Sequence, residues 1–185
     1  MKNKLILYIA MSLDGYIAEK DGDISFLDET LSPSPDLEYE EFYNSLCAVI
    51  MGGNTYRQIK NELSPDKWPY KGMPCYVCTR RQYQDNSDVQ FTSLLPGKPL
   101  LDFIAKKHSG NVWLMGGGEV IRCFMRENLI DQYYIYVMPT VLGNGIPLFP
   151  PEFPKTDLKL ESCKNIGEIV ELIYQKNTSV HFANG

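Results

Sequence analysis

The chain has 185 residues, with 18 Lys and Arg against 23 Asp and Glu and a formal charge of -5 at neutral pH. A length of this order predicts a single domain over residues 1–185, and 44% hydrophobic with 22% charged residues excludes disorder, collagen and coiled coil as global descriptions. The acidic balance is unfavourable for tracking a polyanion, so no nucleic acid is expected as a partner. Cysteines stand at 47, 75, 78, 123 and 163, an odd set lying mostly inside apolar runs, as in reduced intracellular proteins; a cytoplasmic location is expected. Met1-Lys2-Asn3-Lys4 and the short run after it lack a signal-peptide cleavage pattern, and no run approaches membrane-spanning length. His108 and His181 are too few, and in no ligand spacing, for a histidine-based metal cluster, so no metal is expected.

Leu5 to Met11 is an apolar run without alternation, which suits a strand covered on both faces in a parallel sheet. Similar runs recur at Ala48–Met51, Tyr76–Cys78 and Val112–Met115, each followed by a glycine or polar break and a helical pattern, the rhythm of an α/β fold. Helices are predicted over Asp36 to Leu46, with Tyr39, Phe42, Tyr43 and Leu46 on one face, and over Thr55 to Leu63, Lys98 to Lys107 and Glu119 to Asn128. Tyr133 to Met138 is a further β-forming run. Leu158 to Lys164 and Ile169 to Lys176 flank Asn165-Ile166-Gly167 and predict an antiparallel hairpin added to the edge of a mainly parallel sheet. Residues 178 to 185 read as a weakly held tail.

The chemistry concentrates where strands meet glycines. Met115-Gly116-Gly117-Gly118-Glu119-Val120 joins a buried strand to a helix start, where glycines let a diphosphate approach the backbone and the free N–H groups favour an anion. Gly52-Gly53-Asn54-Thr55 repeats that layout, with Thr55 placed to cap the helix or bond a phosphate; two such junctions point to a dinucleotide. Thr79-Arg80-Arg81 puts a hydroxyl and two guanidiniums at a C-terminal strand end, suited to a 2′-phosphate. Cys75 and Cys78 are three apart in a strand and point to opposite faces, so they do not converge on a metal or a disulfide. Asp36 lies in line with the tyrosine stripe, facing a cleft or serving as an ordinary N-cap.

Four segments together resemble the dihydrofolate-reductase-like superfamily: Ala10-Met11-Ser12-Leu13-Asp14-Gly15-Tyr16-Ile17-Ala18, Met51-Gly52-x-x-Thr55-Tyr56, Thr79-Arg80, and Met115-Gly116-Gly117-Gly118-x-Val120. The first of them, with Pro139-Thr140-x-Leu142-Gly143-x-Gly145-x-Pro147-Leu148-Phe149, is similar to the branch holding the reductase domain of riboflavin-biosynthesis deaminase-reductases (RibD C-terminal-like). The resemblance implies a three-layer fold with a mainly parallel sheet, an antiparallel C-terminal hairpin and helices on both faces. It implies NADPH as cofactor, with Ala10 and Ile17 at the nicotinamide carboxamide, Gly53, Asn54 and Thr55 and Gly116, Gly117, Gly118, Glu119 and Val120 at the diphosphate, Thr79 and Arg80 at the 2′-phosphate, and Gly52 and Met115 also among the cofactor-binding residues. The family commonly has a basic residue where Gly53 stands here; Arg57 and Arg81 are the nearby substitutes. Asp36 falls where dihydrofolate reductases carry the helix carboxylate, and Asp14 is the alternative polar group near the nicotinamide. No H-x-E accompanies Pro74-Cys75-x-x-Cys78, so the zinc deaminase half is not expected.

The function so implied is NADPH-dependent hydride transfer to a small heterocyclic substrate, resembling 5-amino-6-(5-phosphoribosylamino)uracil reduction, with the loop from Asp14 to Phe26 excluding water. Dihydrofolate reduction and non-catalytic nucleotide binding are the alternatives. The tyrosine-rich run at 133–136 is either core or the edge of a homodimer, the state common in the family.

Overall fold

A computed structural model of the chain describes residues 3–27, 37–81 and 83–177. In chain order the elements are β1 (Leu5–Ser12), β2 (Tyr16–Ala18), a 3-10 turn at Ser25–Leu27, α1 (Leu37–Asn44), β3 (Leu46–Gly52), and α2 (Gly53–Gln58), which widens into a π turn over Ile59–Leu63. There follow β4 (Cys75–Cys78), β5 (Val89–Thr92), α3 (Lys98–Ala105), β6 (Asn111–Gly116), α4 (Gly118–Arg126), β7 (Gln132–Met138), β8 (Ile146–Pro147), β9 (Leu158–Ile166) and β10 (Ile169–Lys176). Eight strands form one sheet in the order β5-β4-β3-β6-β1-β7-β10-β9, and β2 pairs with β8 apart from it. Every pairing from β5 across to β7 is parallel. The last two strands run antiparallel, as the hairpin reading expected.

The continuous apolar runs are explained by two cores, one on each face of this sheet. Leu5 and Leu7 of β1, Ala48 and Ile50 of β3, and Val112 and Leu114 of β6 pack under Leu100 and Ile104 of α3 and Ile121 and Phe124 of α4. Their neighbours Ile6, Val49, Met51 and Trp113 enter the opposite core with Phe42 of α1 and Tyr56 and Ile59. Alternate residues of one strand thus serve different layers, so no polar alternation appears. Cys75 and Cys78 divide the same way, Cys75 in the second core and Cys78 against the first, so they do not converge.

Several boundaries differ from expectation. The first helix ends at Asn44 and Leu46 opens β3, because Leu46 pairs with Asn111 and the Ser45 N–H and hydroxyl close the last turn on Phe42. The second begins at Gly53, so Thr55 lies inside its first turn and does not cap it. The strands β2, β5 and β8 went unread, being too short to carry a period. Asp36 and the 178–185 tail lie outside the described residues.

Candidate functional site

The parallel strands β1, β3, β4 and β6 all deliver their C-terminal ends to one edge of the sheet, with Gly52 beside Cys78 and Met51 beside Gly116. A cavity of about 1280 Å³ opens there. It is bordered by Ala10 and Ile17 at one side, by Gly52, Gly53, Asn54 and Thr55 at the start of α2, and by Thr79 and Arg80 after β4. Met115, Gly116, Gly117, Gly118, Glu119 and Val120 at the β6–α4 junction complete the rim. All the residues that the sequence assigned to a cofactor therefore line one space, although they come from segments up to about a hundred residues apart.

The glycines hold the two junctions against each other. A Cβ on Gly52 would stand 3.2 Å from Val120 Cγ2 and 3.5 Å from the Gly117 nitrogen, and one on Gly117 would stand 3.3 Å from Thr55 Oγ1. A Cβ on Gly118 would lie 3.2 Å from Ile146 Cγ2 of β8. Gly116 has room for a side chain but adopts φ 137°, a conformation that glycine accepts readily, and its peptide bond to Gly117 is cis. Of the first-turn N–H groups of α4, that of Val120 donates to the Gly117 carbonyl at 3.0 Å, while those of Gly118 and Glu119 have no intrahelical acceptor by helix geometry and belong to cavity-lining residues. Thr55 Oγ and these amides supply a donor set that fits a diphosphate. Arg57, Arg80 and Arg81 line the β4 side, with Glu62 and Glu119 also on the cavity wall.

Asp14 does not line the cavity. Its carboxylate accepts the Ser12 hydroxyl at 2.6 Å and the N–H groups of Leu142 and Gly143 at 3.1 and 2.7 Å. Those bonds, the Ser12 hydroxyl first, hold its carboxyl below the usual carboxylate range, so it is an ionised anchor between the β1–β2 turn and residues 140–143. The His108 Nε2 lies 2.9 Å from the Tyr76 hydroxyl.

Other lining residues were not singled out by sequence. Lys20, Asp21, Gly22 and Asp23 form a wall that Gln58 ties down, its amide donating to the Gly22 carbonyl at 2.9 Å. Tyr70 and Cys78 also line the cavity; burial raises both, Cys78 to about 12, so Cys78 stays a neutral thiol. Among the described residues no group of His, Cys, Asp and Glu is placed to hold a metal, and no helix is long and apolar enough to cross a membrane.

Residues 3–172 match the RibD C-terminal domain, and the chain belongs to that family. It is 41% identical over 94% of its length to the uncharacterized protein YwjB of Bacillus subtilis, covering 98% of that protein. It is 24% identical to the uncharacterized protein YyaP of the same organism, over 95% of this chain and 96% of that one. Among solved structures, a Shewanella sp. PV-4 protein named for riboflavin biosynthesis superposes with a TM-score of 0.77 at 26% identity, covering 94% of this chain and 99% of that one. The diaminohydroxyphosphoribosylaminopyrimidine deaminase/5-amino-6-(5-phosphoribosylamino)uracil reductase of Thermotoga maritima shares the fold, with a TM-score of 0.70 at 15% identity. It is matched over 95% of this chain and 57% of its own length.

Proposed function

We propose that this chain is a cytoplasmic NADPH-dependent reductase that reduces a C=N or C=O carbon of a small heterocyclic or sugar-derived substrate, in the manner of the 5-amino-6-(5-phosphoribosylamino)uracil reductases whose fold it shares. The observation that carries the reading is the meeting of two glycine junctions, Thr55, Thr79 and three arginines around one cavity at the C-terminal strand ends, where open α/β sheets take nucleotides. When bound, the dinucleotide would supply the hydride. Thr55 and the first-turn amides of α4 would hold its diphosphate, and Ala10 and Ile17 would border the carboxamide. The Lys20–Asp23 wall, fixed by Gln58, would keep water from the reacting carbon. Asp36 is retained as the proton donor of this reading, and Asp14 is not.

The test is calorimetric titration with NADPH and NADH, followed by turnover assays with 5-amino-6-(5-phosphoribosylamino)uracil and dihydrofolate as hydride acceptors. Saturation by a dinucleotide at micromolar concentration supports the reading, and a cofactor at about 100 times its Kd would stabilise the fold by about 2.7 kcal/mol. Binding of neither dinucleotide would overturn it. Turnover of dihydrofolate alone would move the chain to the other reductase class, and tight binding with no turnover on any substrate favours a nucleotide-binding module.

A further inference from the structure

We propose that the acceptor reduced by this chain is a neutral or cationic heterocycle that carries no phosphate; this narrows the reductase reading above and rests on it. It sets the chain apart from the Thermotoga maritima neighbour, whose name gives a phosphoribosyl acceptor. The cavity is divided by charge. Its arginines, Arg57, Arg80 and Arg81, gather at the Thr79 end. Arg80 and Arg81 follow Thr79 directly, and both Arg57 and Arg81 hydrogen-bond the Tyr83 phenol. Arg57 Nη2 donates to Asn54 Oδ1, which turns the guanidinium back along α2 and away from the π turn.

The opposite arm starts at Ala10, where that reading puts the carboxamide and hence the hydride. Leu27 packs in the cluster that includes Ala10, and Ile59 and Tyr70 pack in the second core, which shares Tyr8 and Tyr134 with that cluster. All three line the cavity. Tyr70 is fixed edge-on to Trp113 at 5.6 Å, so this wall is aliphatic and aromatic. Its charges are Lys20, Asp21, Asp23 and Glu62. The Gln58 bond to the Gly22 carbonyl sets the Asp21–Asp23 turn against α2 about one turn before Glu62, which brings the three carboxylates to one rim. Two of them have neutral partners: Asp21 accepts the Asp23 N–H at 3.1 Å, and Asp23 accepts the Ser25 hydroxyl at 2.6 Å. The covering layer is acidic as well. Residues 21–56 hold eight Asp and Glu and no Lys, Arg or His, and α1 within them packs Phe42 into the second core. A phosphate dianion in this arm would give up water for apolar walls, with Lys20 as the one cation among the described lining residues. It would do so in a cleft whose low-dielectric walls focus a field of its own sign. A neutral ring avoids that cost, and a protonated ring nitrogen turns it into attraction.

The experiment is calorimetry on the full chain saturated with NADP+, and turnover with NADPH, using pairs of rings that differ only in a phosphate. One pair is 5-amino-6-(5-phosphoribosylamino)uracil and its dephosphorylated form, the other riboflavin 5′-phosphate and riboflavin. The expected result is a preference of about tenfold or more for the unphosphorylated member of a pair, narrowing as salt screens the rim. Glu62→Lys, verified as folded by its thermal melt, should recover about two- to fivefold for the phosphorylated members while leaving the unphosphorylated ones unchanged. Equal or better use of the phosphorylated members by wild type, or no binding of either pair, would overturn the proposal and leave the dinucleotide reading standing. Failure of NADP+ and NADPH to bind would instead remove that reading, and the proposal with it.

Discussion

The Tyr136 phenol donates to the Glu171 carboxylate at 2.7 Å, and the two residues stand opposite each other in register on β7 and β10, both buried. Tyr136 is also the register partner of Ala10, so this polar pair sits directly beside the cavity wall. Burial, the Tyr8 hydroxyl and the Glu171 carboxylate all push the Tyr136 phenol far up, keeping it a neutral donor. Tyr136→Phe takes this donor from a buried carboxylate and should cost about 1–3 kcal/mol. Urea unfolding of Tyr136→Phe, Glu171→Gln and the double variant should show a coupling of about 0.5–3 kcal/mol. Additive losses would mean that the contact contributes nothing.

Thiol chemistry should separate the cysteines by burial. Desolvation raises Cys75 and Cys78 to about 12 and raises Cys47 and Cys123 as well, while Cys163 lies exposed on β9. A thiolate-selective reagent at mildly alkaline pH should find about one fast equivalent in the native protein, removed by Cys163→Ser. Fast labelling of Cys78 would contradict the burial that raises its thiol.

Asp14 should behave as a brace. Its folded-state carboxyl titrates below the unfolded one, so its contribution is present above the unfolded value of 3.8 and is lost as pH falls through the folded value. Asp14→Ala should lower the melting temperature at pH 7 and flatten its decline in acid. A pH-dependent loss of turnover with unchanged melting would return Asp14 to the chemistry.

At the alkaline end the sign reverses. Burial lifts Tyr133 to about 12 and raises Tyr70 and Tyr136 above their ordinary range, whereas unfolded phenols ionise near about 10. The unfolded chain then binds fewer protons than the folded one, so stability is complete below about pH 10 and is lost as pH rises toward these folded values. Urea midpoints should hold steady up to about pH 9 and fall beyond about pH 10, with phenolate absorbance rising together with unfolding.

What the sequence made legible follows the same physics. Val112–Met115 and Leu5–Met11 announce themselves because both faces of a central parallel strand are apolar, and the glycine run after them because Gly116 takes a positive φ while Gly117 and Gly118 stand tight against Thr55 and Ile146. Ile146–Pro147 and Tyr16–Ala18 pair only with each other and are too short for any period. Tyr136 and Glu171 lie 35 residues apart and meet through strand register, which no local spacing encodes. Asp14 looked reactive as a lone carboxylate in a loop, but the donors that occupy it come from residues 142 and 143.

The place of β1 in the sheet bears on how the protein is made. Leu5 pairs with Val112 on one side and Ser12 with Met138 on the other, so β1 has neither of its strand neighbours until more than a hundred further residues have been made. At about 5–20 residues per second this leaves an apolar segment uncovered for many seconds, and such non-local pairing is slow to form. Biogenesis therefore depends on what shields residues 5 to 11 in that interval, and yield in a cell short of chaperones should fall before any loss of native stability is felt.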